Sequence, residues 1–211
     1  MEDYHKIQTV FFRDPENKRR TLLEGRFSLP EFEYLANNDW IFTEKVDGTN
    51  IRVMFDGQNI SIKGREKDSL IPDFLMENLS STFMPMEEVF REKFPNGVCI
   101  YGEGYGERIQ DVGRLYIPKG QSFVLFDIKI GKWWLERTAV NDISHSLGLS
   151  VVPIIGHGTL WDMIEVARLG FKSKWGDFQA EGIVARPSVE LKNRAGERII
   201  TKIKCKDFPR K

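Results

Sequence analysis

The sequence predicts an α+β fold with mainly antiparallel sheets flanked by helices. Short segments alternate apolar and polar residues with the period of two that is typical of half-buried strands. Compact turn sequences join several of these segments as hairpins, and helical segments are interspersed between them. With 211 residues, 41% of them hydrophobic, the chain is long enough for one sizeable globular domain. It contains no internal repeat, low-complexity tract or linker, so we expect a single domain over residues 1–211.

The first part of the chain is predicted to contain a helix, a strand and a hairpin. Ser28 is the expected N-cap of a short helix over 28–37. A strand over 40–44 follows it. Alternating residues over 51–62, interrupted by the turn sequence that begins at Asp56, predict a β-hairpin.

The remaining elements follow from the same periodicities. We expect helices at about 70–79, 87–93, 137–147 and 160–169. We expect strands at 98–101, 123–130, 151–155, 182–186 and 198–204. A glycine-rich stretch follows the first of these strands, and the last two are expected to face each other across a polar hairpin.

Composition excludes several classes of protein. The 31 basic residues are balanced by 31 acidic ones, so the total charge gives no support to a protein that merely coats nucleic acid. Two cysteines argue against a disulfide scaffold and favour a reducing compartment. Three scattered histidines show no zinc-ligand spacing. Without a signal peptide or long apolar span, we expect a cytoplasmic protein that does not associate with membranes.

The most informative segment surrounds Lys45, which stands at a predicted strand end. Asp47 follows it two residues later, and Gly48 is expected to allow a tight turn. A lysine amine can attack phosphorus once it is neutral, which requires neighbouring cations or desolvation. A charged β-turn would have the same local sequence, so the tetrapeptide alone does not decide between the two interpretations.

Later motifs decide between them. In order along the chain, five motifs resemble those of the covalent nucleotidyltransferases, a superfamily that includes DNA ligases, RNA ligases and mRNA capping enzymes. They lie at 45–48, 101–104, 126–128, 181–184 and 202–206. The resemblance covers about 41–208 and implies the nucleotidyltransferase fold of a ligase adenylation domain.

Within this superfamily the chain most resembles the bacteriophage RNA ligase 2 and RNA-editing ligase group. Asn50 after the nucleophile motif, Arg65 twenty residues after the lysine and the closing segment 203–206 carry this resemblance. The group varies at the third motif position, where this chain has Asp47.

The resemblance implies a role for each matching residue of the catalytic group. The amine of Lys45 would attack the α-phosphate of ATP and expel pyrophosphate, leaving a lysyl-AMP. Glu181 would line the lysine and help to hold a metal. Lys204, together with either Lys202 or Lys206, would neutralise the α-phosphate. Side-chain alternation would put all three on one face of a strand. The closing sequence favours Lys204 with Lys206, whereas the distance from Glu181 favours Lys204 with Lys202.

The resemblance also implies a nucleotide-binding set. Phe126 would stack on adenine, Glu103 would contact the ribose, and Arg65 with Asn50 would contact ribose or phosphate. The two acids beside the nucleophile complete this set: Glu44 and Asp47. Because pyrophosphate leaves with high charge, Mg²⁺ or Mn²⁺ is expected. The candidate metal ligands are the carboxylates of Glu181 and Glu103.

The resemblance therefore implies an ATP-dependent RNA ligase that joins 3′-OH to 5′-phosphate ends in a nicked duplex or bridged strands, with RNA repair as the expected role. One alternative is the catalytic core of an ATP-dependent DNA ligase, because no residue indicates contact with a 2′-OH. Another is a non-catalytic nucleotide- or RNA-binding module. Neither an OB-fold nor a C-terminal ligase module is expected within these residues, and the oligomeric state stays open.

Overall fold

The structure, a computed structural model, describes residues 3–18, 21–66 and 69–208. The other residues that the single-domain prediction spans lie outside this range. The described strands are β1 (Gln8–Thr9), β2 (Phe11–Arg13), β3 (Leu22–Phe27), β4 (Trp40–Lys45), β5 (Thr49–Phe55), β6 (Ile60–Gly64), β7 (Val98–Gly106), β8 (Gln121–Ile130), β9 (Trp133–Trp134), β10 (Ser150–Val151), β11 (Ile154–Gly158), β12 (Gly182–Pro187) and β13 (Thr201–Lys204). The described α-helices are α1 (Pro30–Tyr34), α2 (Asp73–Phe83), α3 (Glu87–Lys93), α4 (Gly113–Tyr116), α5 (Arg137–Ser146) and α6 (Leu160–Leu169).

The sheets are mainly antiparallel, which confirms the predicted α+β fold. A five-stranded sheet has the order β1-β13-β12-β4-β11, and a six-stranded sheet has the order β10-β8-β7-β5-β6 with β9 paired to β8. A small third sheet pairs β2 with β3. The pairs β1–β13 and β10–β8 are parallel, and the other strand pairs in the described residues are antiparallel.

The chain divides into two compact units. The central unit takes its described residues from Met1–His5 and Asp47–Val152, and it contains the six-stranded sheet. The terminal unit takes its described residues from Lys6–Val46 and Pro153–Lys211, and it contains the other two sheets.

The core of the central unit forms because apolar residues follow the period of each element. On β5 the side chains of Ile51, Val53 and Phe55 are buried on one face of the sheet. On α2 the buried residues recur every four positions, at Leu75, Leu79 and Phe83, which makes one helix face apolar. These faces belong to one buried cluster, and this packing holds β5, β7 and β8 in register.

The core of the terminal unit is built by α6 against the five-stranded sheet. A capping box at Thr159 and Asp162 starts this helix. Its buried face joins one cluster with β4, β12 and β13. Trp40 is fully buried at the start of β4 and donates its indole N–H to the Leu35 carbonyl at 2.9 Å. The strand that ends in Lys45 is therefore anchored firmly at its other end.

Two predicted element boundaries are wrong for local reasons. The hydroxyl of Ser28 donates to the Thr9 carbonyl instead of capping a helix. Helix α1 begins at Pro30 with Leu29 as its N-cap residue, and no side chain caps it. The glycine-rich stretch expected after 98–101 is strand throughout, because β7 extends to Gly106.

The segment predicted as one strand over 151–155 is two strands in different sheets. Val151 belongs to β10 beside β8, whereas Ile154 begins β11 beside β4. Pro153 separates them, and proline cannot donate a hydrogen bond to a sheet ladder. Its carbonyl instead accepts a hydrogen bond from the Glu44 N–H at 3.0 Å. Across the described residues, we find no helix with the length and apolar character that crossing a membrane would require.

Candidate active site

The register of the five-stranded sheet brings together the two lysines that the motifs single out. Gly182 in β12 pairs with Lys45 of β4 on one side and with Lys204 of β13 on the other. A Cβ on Gly182 would lie 2.1 Å from the Ile203 carbonyl oxygen. Only glycine permits this approach, and the residue before it, Glu181, lies immediately before the start of β12, which is flanked by the strands that carry the two lysines.

Glu181 contacts both lysines directly. The Nζ of Lys45 donates to Oε2 at 2.5 Å, and the Nζ of Lys204 forms an ion pair with Oε1 at 2.5 Å. The Glu181 side chain is 7% exposed, whereas those of Lys45 and Lys204 are 20% and 28% exposed. The structure therefore places a buried acceptor against an amine that a ligand can reach. Oε2 is in position to accept a proton from the Lys45 amine, and nucleophilic attack by that amine stays a prediction.

The other two lysines of the last motif, Lys202 and Lys206, lie near Lys204, but the three lysines are not on one continuous strand. Lys202 is two residues earlier on β13, whereas Lys206 lies in a 3₁₀ turn over Cys205–Asp207. The prediction that all three share a face of one strand is wrong, because the backbone turns after Lys204. All three nevertheless line one cavity. Which of Lys202 and Lys206 assists Lys204 stays a prediction.

Glu44 is buried in the terminal unit, where its carboxylate accepts hydrogen bonds from the loop that contains Ser173 and Lys174. Its side chain, on a residue that is 1% exposed, accepts hydrogen bonds from the Ser173 hydroxyl at 2.6 Å and the Lys174 N–H at 2.8 Å. Burial raises the pKa of this carboxyl, and the hydrogen bonds partly oppose the rise. Its contact with a nucleotide stays a prediction. Ser173 was missed because no local sequence signal links it to a strand 129 residues away.

The raised pKa of Glu44 predicts a pH-dependent stability. The folded state binds the proton more tightly than the unfolded state, whose pKa is near the ordinary value of 4.5. The stabilisation is therefore complete below that value and is lost as pH rises through the folded pKa. In urea unfolding between pH 4 and pH 7, the stability of the parent relative to a Glu44→Gln variant should fall as pH rises. A difference that is constant across this range would contradict the assignment.

In the central unit, three predicted nucleotide contacts are neighbours across strands. Asn50 of β5 pairs with Glu103 of β7, so their side chains lie on the same face. Arg65 follows Gly64, which pairs with Ile51, the residue after Asn50. The Oδ1 atom of Asn50 is buried without a hydrogen-bond partner, which leaves an acceptor for a ligand.

Phe126 occupies a bulge in β8. The register between β7 and β8 shifts at this point, because Tyr101 pairs with Asp127 and the next residue pairs with Leu125. A bulge re-aims a side chain, and Phe126 is only partly buried. Tyr4 packs edge-on against its ring at 5.1 Å and donates its hydroxyl to Asp127 at 2.6 Å. Adenine stacking on Phe126 stays a prediction.

Asp47 and Gly48 lie at the start of the central unit. The backbone N–H of Asp47 donates to the Tyr116 hydroxyl at 3.2 Å. A Cβ on Gly48 would lie 2.4 Å from the Gly104 carbonyl oxygen. The glycine is needed for this close approach to β7, which is a different reason from the tight turn that we expected.

Among the described residues, no group of three or more His, Cys, Asp or Glu side chains is arranged to hold a metal ion. A magnesium ion bound through phosphate and water needs only one or two carboxylates. The assignments of Glu181 and Glu103 as ligands stay predictions.

Comparisons with known proteins show the family and the fold. The RNA ligase family model matches residues 38–204, and no curated protein sequence matches. The structure is similar to that of Naegleria gruberi RNA ligase with PPi, at 20% identity and a TM-score of 0.68, covering 96% of this chain and 56% of that one. A mutant of the same protein with ATP and Mn matches at 18% identity and 0.68, covering 97% and 56%.

The likeness to these solved structures shows the fold. It confirms the predicted nucleotidyltransferase fold, although this chain spans just over half the length of the ligase that it matches. The family model covers most of the chain and includes the segments that carry Lys45, Glu181 and Lys204. This chain therefore belongs to the RNA ligase family.

Proposed function

We propose that this chain catalyses nucleotidyl transfer as an ATP-dependent RNA ligase. It forms a covalent lysyl-AMP on Lys45 and joins RNA 3′-OH and 5′-phosphate ends. The observation that carries the proposal is the contact of one buried carboxylate, Glu181, with both Lys45 and Lys204. Membership of the RNA ligase family supports assigning this arrangement to ligation.

The proposed chemistry has three balanced steps. First, the neutral Nζ of Lys45 forms a bond to the α-phosphorus of ATP, the bond to the β-phosphate oxygen breaks, and pyrophosphate leaves. Second, a 5′-phosphate oxygen of RNA forms a bond to the α-phosphorus, the bond between that phosphorus and Lys45 Nζ breaks, and the amine regains a proton. Third, the RNA 3′-OH forms a bond to the phosphorus of the 5′-phosphate, its proton passes to solvent, and AMP leaves. Glu181 receives the proton of Lys45, and Lys204 neutralises charge on the α-phosphate.

The nucleotide-binding set is proposed on the neighbouring side chains of the central unit. Asn50 offers a buried acceptor beside Glu103, and Phe126 offers a partly exposed aromatic face. The similar structures contain ATP, AMP and Mn, which supports ATP and Mg²⁺ or Mn²⁺ as cofactors here. When bound, the metal supplies charge neutralisation to the phosphates. Its proposed protein ligands are Glu181 and Glu103.

The proposal also covers the form of the RNA substrate and the cellular compartment. We propose that the RNA ends lie in a nicked duplex or bridged strands, and that their sealing serves RNA repair in the cytoplasm. The cysteines Cys99 and Cys205 are both free and buried, which supports a reducing compartment. The family match includes segments of both units, which supports a single adenylyltransferase domain over 1–211.

A labelling experiment tests the proposal. The chain is incubated with Mg²⁺ and ATP labelled at the α-phosphate, then denatured, and the labelled peptide is identified. We expect one AMP on Lys45, released by acid and stable to base, as a phosphoramidate should be. ATP bound without covalent label would instead support the non-catalytic binding module. The labelled chain is then given nicked duplexes whose ends are RNA or DNA, and equal joining of DNA would favour the DNA ligase core.

A further inference from the structure

Arg52 on β5 is a buried charged residue that the proposed chemistry does not use. Its side chain is 3% exposed, and burying a charge is costly unless the charge is paired and hydrogen-bonded. We infer that Arg52 is a positioning residue, which fixes the backbone at Arg65 so that this second arginine can contact ribose or phosphate. The inference rests on the proposed function, because it takes Arg65 as a nucleotide contact.

The guanidinium of Arg52 binds two partners at once. Its Nε donates to the Gly64 carbonyl at 2.8 Å, and its Nη1 forms an ion pair with Oδ1 of Asp3 at 2.6 Å. The donors of a guanidinium lie in one rigid plane, so the contact with Asp3 also sets the direction of the contact with Gly64. Arg52 is therefore held in one orientation in the sheet.

Asp3 is kept at the guanidinium by the residue that follows it. Tyr4 is 5% exposed, and its hydroxyl donates to Asp127 of β8 at 2.6 Å. The Tyr4 ring also packs against Tyr101 of β7 at 5.1 Å. These contacts anchor the backbone next to Asp3, so the ion pair with Arg52 does not depend on the exposed Asp3 side chain alone.

The Gly64 carbonyl is the last backbone group before Arg65. The ladder between β5 and β6 ends at the pair of Ile51 and Gly64, so Arg65 lies beyond it. Because the peptide bond is planar, fixing the Gly64 carbonyl also fixes the direction of the Arg65 N–H and the position of its Cα. Arg52 thus extends the order of the hairpin by one residue.

The turn after Arg65 supports the same backbone from the other side. The Glu66 N–H donates to the Ser69 hydroxyl at 3.0 Å, and the Ser69 N–H donates to the Glu66 carbonyl at 3.1 Å. A Cβ on Gly64 would lie 2.6 Å from the Ser69 Cβ, so this turn packs against the end of β6. A side chain whose backbone is already fixed loses less freedom when it binds a ligand, which favours affinity.

Calorimetric titration with an ATP analogue that cannot transfer AMP tests the inference. The probe is α,β-methylene-ATP with Mg²⁺, and the chains are the parent, Arg52→Met, Arg65→Ala and the double variant. We expect each single variant to raise the dissociation constant about tenfold. The double variant should bind no more weakly than Arg65→Ala, because an effect that passes through Arg65 is already lost there.

Lys63→Met is the matched control. Lys63 is exposed and lies directly opposite Arg52 across β5 and β6, so the two side chains share a face of the sheet. A general attraction of ATP by positive charge would be weakened in both variants, whereas we expect Lys63→Met to bind like the parent. A merely structural role of Arg52 would lower the number of binding sites per chain without raising the dissociation constant.

Three results would overturn the inference. These are an unchanged dissociation constant in Arg52→Met, an unchanged one in Arg65→Ala, or losses that simply add in the double variant. If circular dichroism shows Arg52→Met to be unfolded, Arg52→Lys replaces it, because a single ammonium cannot occupy the positions of both Nε and Nη1. Analogue binding requires no transfer of AMP. A parent chain that binds the analogue but takes up no covalent AMP would therefore contradict the proposed function and leave the role of Arg52 to be decided by the titration.

Discussion

A Lys45→Met chain is expected to take up no covalent AMP, which corresponds to a loss of at least about 10⁴-fold in the rate of the first step. Methionine fills a similar space but has no amine, so the bond to phosphorus cannot form. Lys45→Arg should fail equally, because the guanidinium keeps the charge near Glu181 but stays protonated. The measurement is the transfer of label from ATP to the denatured chain under single-turnover conditions.

The control separates chemistry from folding. Lys63 is exposed on β6 and belongs to no assigned site, so Lys63→Met should be labelled at the rate of the parent. Circular dichroism should show that the Lys45 variants fold, because the Lys45 side chain is only partly buried. Label on Lys45→Met at more than a trace would mean that another residue is the nucleophile, and the proposed function of Lys45 would be rejected.

The sequence predicted the elements with strong periodicity well. The helices at 87–93 and 160–169 have the observed bounds of α3 and α6. The hairpin at Asp56 joins β5 to β6 as expected, because its turn sequence and its alternating flanks indicate the same structure. In each case the local signal agrees with the tertiary packing.

Elements whose structure depends on distant contacts were not predicted. The short strands β1, β2 and β3 carry weak local patterns, and β1 exists because Gln8 and Thr9 pair with β13 some 190 residues later. The Ser28 hydroxyl had a tertiary acceptor in Thr9, which overrode its preference for a helix N-cap. Local propensity cannot report either contact.

The candidate site, too, could be predicted from the sequence only in part. Motif order identified Lys45, Glu181 and Lys204, and the structure places these three in contact. The order of the motifs could not show that β13 ends at Lys204. The prediction that Lys206 shares a strand face with Lys204 was therefore wrong. Motif order also could not show the bulge that sets Phe126 apart, because a bulge is a property of two paired strands.

A Gly182→Ala chain is expected to lose both stability and activity, because the added methyl group on β12 would push away β13, the strand that carries Lys204. The added Cβ would lie 2.1 Å from the Ile203 carbonyl oxygen and 2.7 Å from the Lys204 Cα. These are backbone atoms, so a side-chain rotation cannot relieve the contact and β13 must move away. We expect the free energy of unfolding in urea to fall by about 2–3 kcal/mol. A displacement of Lys204 near 1 Å should slow label transfer by about 10²-fold.

Gly156→Ala provides the matched control in the same sheet. Gly156 lies on β11, and its added Cβ would meet only the Phe42 ring at 3.4 Å, an ordinary contact. We expect a change in unfolding free energy within about 1 kcal/mol and a normal rate of label transfer. If Gly182→Ala behaves like this control, the close approach of β12 to β13 does not hold Lys204 in place. If it loses stability but keeps its rate at saturating ATP, then Lys204 can move without cost to the reaction, and its assigned role at the α-phosphate must be given up.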